Sequence, residues 1–474
     1  MALVDTPLYR SRTEQQLHWH LFAPRVGFAY RAANSTSVRG GYGITFLPND
    51  VGFASGPVGS PVNNAQTSML TSLDGGLTPH NTLSNPFPNG ILEPIGNDVS
   101  RLGELEGGFL AAAIPYGSYP YVQQWNLNVE HQIAHKTVIE VGYAGSKGSH
   151  LPLYFSGVNQ LSPTYYSQGA ALLTFVPNPF FGHIPATAGL LGGPIIDAGQ
   201  LLRPFPQFLG LFAASPFIGG SSYHSLQTKF QHQFGAGGTL LASYTWSKLI
   251  SDTDSLTAWV EASTPGGQYG AQNAYDRRAD RSLSANDVPQ NFVVSYVVDL
   301  PFGNGRRFLG GLHGFPQALL GSWSINGVTT LRSGFPLTLT AQPTILSTFF
   351  GAGTPRPISV PGCDKSVSGS AQSRLNGWFN PACFTQPGPF EFGNESRNDS
   401  QLRADGINNW DMALFKTFPI KENVRLQFRA EAFNLANRVQ FGPPGTTLGT
   451  PQFGVVSSQV NEPRVFQFGL RLNY

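Results

Sequence analysis

Six stretches carry residue types that could do chemistry. "HWH" sets His18 and His20 on one face of an extended segment, as a metal site would need, yet a metal wants at least a third ligand and none is evident. "SDTDS" spaces Asp252 and Asp254 loosely like a calcium loop, without that loop's glycine and closing glutamate. "GNGRR", Gly303 to Arg307, is glycine-rich, but it follows Pro301 and has no Lys-Ser/Thr opening a helix, so it is no phosphate loop. Asp276, Arg277, Arg278, Asp280 and Arg281 form a charged cluster, read as a solvated salt-bridge network. Cys363 and Cys383, in a Pro/Gly/Ser-rich stretch, read as a disulfide in an oxidising compartment, with two free thiols as the alternative and a metal site disfavoured. Arg425, Arg429 and Glu431 stand on the polar side of one alternating segment and offer contacts to a passing solute or to a further domain, or pair with neighbouring residues of the same face. No catalytic motif stands among these residues, so the chain is read as doing no covalent chemistry and as needing no cofactor.

The elements that must position them are strands. Only 12% of the 474 residues are charged and 12% are aromatic, with 55 Gly and 37 Pro. Typical soluble domains carry about 25% charge. A formal charge of +2 gives no electrostatic reason to expect nucleic acid. No apolar run of about 18 residues occurs, which excludes a transmembrane helix, and "MALVDTPLYRSRTEQQLHWH" has neither the apolar core nor the cleavage site of a signal peptide.

Period-two alternation marks eleven segments, with a twelfth if "LHWHLF" contributes. "NVRLQFRAEAF" sets Val424, Leu426 and Phe428 against Arg425, Gln427, Arg429 and Glu431. "YVQQWNLNVEHQI" sets Trp125, Leu127 and Val129 against Asn126, Asn128 and Glu130, and "SSYHSLQTKFQHQF" sets Leu226 and Phe230 against Gln227 and Lys229. "QNFVVSYVVDL" is less regular, with Val293 and Val297 on the polar side. Short links ("AANST", "AHK", "GAGG", "PIKE") and the longer "PFGNGRRFLGGLHGFPQALLG" alternate with long stretches near 48–119, 148–220, 251–286, 334–408 and 437–463. In an antiparallel sheet this gathers the short turns at one end and the long loops at the other. Transmembrane β-barrels have that arrangement, with an apolar face toward lipid and a polar lumen. Arg425, Gln427, Arg429, Glu431, Glu130 and Lys229 are the lumen-facing candidates.

Tyr30, Trp125, Tyr143, Trp246, Trp323, Trp410 and Tyr474 fit aromatic girdles at the membrane interfaces. Lys416, on the lipid side near a short turn, is expected to snorkel into headgroups, and Arg306 and Arg307 to face periplasm or headgroups. The ending "QFGLRLNY" alternates to its last residue, which predicts a final strand that closes the sheet onto the first.

Twelve stretches in order resemble the C-terminal half of the Oar-like TonB-dependent receptor family, large barrels abundant in Acidobacteria: "FAPRVGFAYR", "VRGGYGITF", "YVQQWNLNVEHQI", "TVIEVGYAGSKGSHL", "YHSLQTKF", "LLASYTWSKLISD", "FVVSYVVDLPFGNGRRFL", "INGVTTLRSGFPLTL", "WFNPACF", "FGNESRND", "VRLQFRAEAFNLANRVQFG" and "QFGLRLNY". The resemblance divides the chain into an irregular segment, 1–21, and a partial barrel domain, 22–474. It also implies that Gln467, Gly469, Leu472 and Tyr474 form the signal read by the outer-membrane assembly machinery. Barrels of this class have about 22 strands around a plug. The resemblance therefore implies half of a larger barrel from a longer precursor, without counterparts of plug, N-terminal β-sandwich or TonB box, with a small barrel formed by these strands alone as the alternative. The function implied is energised transport of a large solute, through a TonB system acting on the plug and an unknown extracellular ligand. A passive porin-like channel and a secreted β-rich adhesin or carbohydrate-binding protein are the alternatives.

Overall fold

The computed structural model describes residues 10, 19–47, 65, 67–96, 98–112, 118–153, 156–213, 216–234, 237–253, 271–421 and 424–474. Eleven strands form one antiparallel sheet in which every strand lies beside its neighbours in sequence: β1 (Arg25–Ala33), β2 (Thr36–Phe46), β3 (Tyr121–Ala134), β4 (Thr137–Pro152), β5 (Phe217–Gln233), β6 (Gly238–Ser251), β7 (Gln290–Asp299), β8 (Trp323–Arg332), β9 (Ile407–Lys421), β10 (Val424–Phe433) and β11 (Val465–Asn473). A two-residue strand, Ser282–Leu283, extends the loop end of β6. The strands run from 9 to 17 residues, and about 9–11 tilted residues cross a bilayer core. All eleven segments expected from alternation are strands. The proposed twelfth is not among them: Leu17 and His18 lie outside the described residues, and His20–Phe22 is irregular.

Register fixes the faces, because residues directly opposite in an antiparallel pair point the same way. One cross-strand row reads Phe28, Gly40, Leu127, Tyr143, Leu226 and Trp246. Another reads Ile325, Leu414, Ala430 and Phe468. The apolar positions of all eleven strands thus share a face. Even its glycines serve it, since the ring of Phe28 covers Gly40 and the indole of Trp125 covers Gly145.

The sheet does not close. Among the described residues β1 pairs only with β2 and β11 only with β10. The expected seam between the last strand and the first is therefore corrected: both are edges, and every residue of β1 is exposed. Eleven strands bring no pair of edges into register here, and each edge keeps a row of unpaired backbone groups.

The buried core lies in the loops. Two residues separate β1 from β2 and β3 from β4, whereas β8 and β9 are joined through 333–406 and β10 and β11 through 434–464. Those two loops share a core of Leu337, Leu339, Trp378, Phe379, Phe384 and Phe453. A second cluster, Leu161, Leu172, Leu346 and Phe350, fastens the β4–β5 loop to the β8–β9 loop. The short helices α1 (Ala198–Leu201) and α3 (Ile345–Phe349) belong to these loops, and α2 (Gly314–Leu320) to the β7–β8 connection at the opposite end.

Candidate functional site: the sheet faces and the loop cap

The six lumen-facing candidates share the polar face. Glu130 of β3 lies opposite Glu140 of β4, and Lys229 of β5 lies opposite the same residue. On β10, Arg425, Gln427, Arg429 and Glu431 oppose Pro419, Thr417, Phe415 and Ala413 of β9. Arg429 donates from Nε to Gln427 Oε1 at 2.9 Å and lies over the Phe415 ring. Arg39 and Glu130 make an exposed pair at 3.7 Å, which contributes little to stability. The face is not uniformly polar. Leu241, Val297, Val328, Phe415 and Phe433 line an open depression of about 470 Å³ with Asp411 and Glu431 at its side. The irregularity at Val293 and Val297 was the sequence trace of that apolar strip.

On the apolar face the aromatics fall in two bands. Trp125, Trp246 and Trp410 lie toward the long loops, Tyr30 and Trp323 lie toward the short turns, the pattern that interfacial rings adopt, and Tyr143 sits near mid-strand. Tyr474, just past β11, is 97% exposed. Lys416 does not snorkel outward. Its amine is buried, donates to the Gly321 carbonyl and lies 5.3 Å above the Trp323 ring and 5.2 Å from that of Phe418. The turn after α2 puts an unpaired carbonyl within its reach, so the charge stays inside the protein. Arg306 pairs with Asp299 at 3.2 Å, and Arg307 lies over Phe308. On β11, Gln467 and Gly469 oppose Glu431 and Arg429 on the polar face, and Leu472 opposes Leu426 on the apolar one.

The loop cap is held by buried charge pairs. Lys365 bridges Glu395 at 2.6 Å and Asp399 at 2.7 Å. Burial works against its charge, but these two carboxylates outweigh that and hold its ammonium above the ordinary lysine value. Arg403 meets Asp287 at 2.6 Å and Arg438 meets Asp405 at 2.8 Å. Arg397 donates to the Ser251 carbonyl and to that of Asp280, and burial pushes it down to about 10. Cys363 and Cys383 are joined by a disulfide.

In the charged cluster at 276–281, Asp276, Arg278 and Arg281 are exposed as expected of a solvated network, and Asp280 departs from it. Asp280 is buried against Arg356, and burial pushes its carboxyl up to about 6 despite that neighbour. Arg277 pairs with Asp252 at 3.4 Å and donates to the Ile218 carbonyl, while Arg281 reaches Ser222. Asp254 and His18 lie outside the described residues, and His20 is exposed. Among the described residues no group of three or more His, Cys, Asp or Glu side chains is placed to hold a metal. The quoted stretch "FGNESRND" contains Glu395, Arg397 and Asp399, three of the side chains that hold the cap, although alternation gave no sign of their roles. Arg356 and Lys365 carry no local signal, because their partners are distant in sequence, and Arg203 is fixed as much by Asn159 and Phe349 as by the nearby Gln200.

A family model described as "Outer membrane beta barrel domain" matches residues 5–467. None of the curated proteins matches the sequence. Among solved structures, the outer membrane transporter YddB from Escherichia coli is 9% identical, with a TM-score of 0.41 over 94% of this chain and 39% of its own. BauA, the ferric preacinetobactin receptor from Acinetobacter baumannii, is 10% identical, with a TM-score of 0.37 over 95% and 36%. The ferripyoverdine receptor of the outer membrane of Pseudomonas aeruginosa is 9% identical, with a TM-score of 0.37 over 95% and 33%. This chain spans well under half the length of each of these proteins.

Proposed function

The chain belongs to the outer-membrane β-barrel domain family, and from that premise we propose that it forms wall and external loops of an energised transporter for a large solute. In this reading it resembles the Oar-like TonB-dependent receptors: a plug inside the wall gates the path, and a TonB system acting on that plug supplies the energy. The apolar face of the sheet meets lipid. Arg425, Gln427, Arg429, Glu431, Glu130 and Lys229 line the lumen. The exposed edges of β1 and β11 are seams where further strands complete the wall, since a strand in lipid must be paired on both sides. Gln467, Gly469, Leu472 and Tyr474 present β11 to the assembly machinery before that seam is made.

The observation that carries the proposal is the polarity of the molecule along its strands. Short turns lie at one end, and at the other lie long loops folded around their own core, disulfide and buried ion pairs. A rigid scaffold with recognition loops on one rim is how binding surfaces are commonly mounted. The test uses cells that make the protein in their outer membrane. Solute bound at the surface should enter only while the inner-membrane proton gradient is maintained. Entry that continues after the gradient collapses, or diffusion of small sugars through purified protein in liposomes, would replace the proposal with a passive channel. A chain soluble without detergent would replace it with a secreted adhesin.

A further inference from the structure

Arginines of the loop cap meet buried carboxylates: Arg356, itself buried, with Asp280, and the half-buried Arg403 and Arg438 with Asp287 and Asp405. Arg203 does not. It follows α1, is only 4% exposed, and makes no ion pair among the described residues. An unpaired buried charge is costly, so its surroundings need an account.

Three of its five donors are spent on holding it still. Nε donates to the Asn159 carbonyl at 2.7 Å, and Nη1 to Gln200 Oε1 at 2.8 Å and the Phe349 carbonyl at 3.3 Å. The holders are themselves fixed. Asn159 donates to the carbonyls of Phe205 and Phe208, and Gln200 to those of Pro206 and Phe208. Among the described residues the two donors of Nη2 find no hydrogen-bond partner. They sit beside Gly351, where an added Cβ would lie 2.9 Å away and where φ is +74°, so glycine keeps the approach open. Arg203 and Gly351 both line a cavity of about 270 Å³. Leu191 and Ile196 are buried in its wall, and Phe109, Phe212 and Phe349 also line it.

We propose that this cavity binds a small organic carboxylate with an apolar body, its oxygens on Arg203 Nη2 and its body against Leu191, Ile196, Phe212 and Phe349. The volume suits a single ring or a short branched chain. A guanidinium fixed in advance is the side chain best matched to a carboxylate. Asp197 lines the same cavity and repels a second negative charge, which selects a monoanion over a phosphate. Burial raises the Asp197 carboxyl above its ordinary value, in keeping with a poorly hydrated wall. Access from outside the cell rests on the external-loop reading above, whereas binding itself does not. Failure to bind would leave that reading intact, and failure of transport would leave the pocket intact.

The experiment titrates the full chain, folded in detergent, with 4-fluorobenzoate followed by fluorine NMR. 4-Fluorobenzyl alcohol corrects for partition into micelles, and inorganic phosphate is the second anion. Saturable one-to-one binding of the benzoate is expected, with the alcohol and phosphate each weaker by about tenfold or more. Arg203→Met should weaken benzoate binding by about tenfold or more, and Asp197→Asn should strengthen it severalfold. Absence of saturable binding to the unaltered chain, binding undiminished in Arg203→Met, or phosphate preferred over benzoate would each overturn the proposal. Where Arg203→Met disturbs the loop, Asp197→Asn decides, and an unchanged affinity there would count against the site.

Discussion

Arg356 donates from Nη2 to Asp280 Oδ1 at 2.9 Å across 76 residues of sequence, and both side chains are almost fully removed from solvent. The pair ties the β8–β9 loop to the β6–β7 loop. It also makes the cap sensitive to pH. Burial raises the folded-state value of Asp280 to about 6, above its ordinary 3.8, so between those values the folded cap holds a proton that the unfolded loop has released. The contribution of this group is fully present below about 4 and is lost as pH rises through about 6. Protease resistance of the loops should therefore fall over that window, and Asp280→Asn should flatten the change. Resistance that rises across the window would mean that Arg356 stabilises the anion by more than burial opposes it.

The disulfide closes 20 residues around the Phe379–Phe384–Phe453 ring cluster. Constraining a loop of that size is worth about 3 kcal/mol in the chain-entropy account. The double substitution Cys363→Ser, Cys383→Ser should lower the stability of the cap by about that amount. The strands should be untouched. Pulse proteolysis read by peptide mapping would show new cuts in 333–406 and none in β8 or β9. Cuts in the strands would mean that cap and sheet unfold together.

Leu414 and Ala413 are neighbours on β9 that face opposite ways, Leu414 opposite Ile325 and Ala413 opposite Asn326. Arginine on a lipid face at the bilayer midplane costs about 2–4 kcal/mol. Leu414→Arg should therefore reduce the folded yield in lipid vesicles by tenfold or more, while Ala413→Arg should fold nearly normally. Equal loss in both would remove the distinction between the two faces.

The strands were legible because a strand spanning a membrane writes its environment into every second residue. The Leu426/Gln427/Phe428/Arg429 alternation and the register opposite Leu472, Arg471, Leu470 and Gly469 carry the same information. The loops were not legible in the same way. Asp280 looked like one charge in an exposed run until Arg356 arrived from the next long loop. Arg203, followed by Pro204, carries no mark in the sequence of the carbonyls of Asn159 and Phe349 that it meets. Lys416 was legible only as to its face, since the carbonyl that accepts from it belongs to Gly321, 95 residues earlier. The open edges of the sheet are illegible for a related reason. Alternation says that Phe468, Leu470 and Leu472 want an apolar medium, and it says nothing about which strand lies beyond them.

The central claim is that one face of this sheet meets lipid and the other meets water. Single cysteines placed in turn at Leu426, Gln427, Phe428 and Arg429 of the protein in its native outer membrane, each coupled to a polarity-sensitive fluorophore, test it most directly. Blue-shifted, lipid-quenched emission is expected at 426 and 428, and water-exposed emission at 427 and 429. Emission that does not alternate, or alternation in the opposite phase, would contradict it.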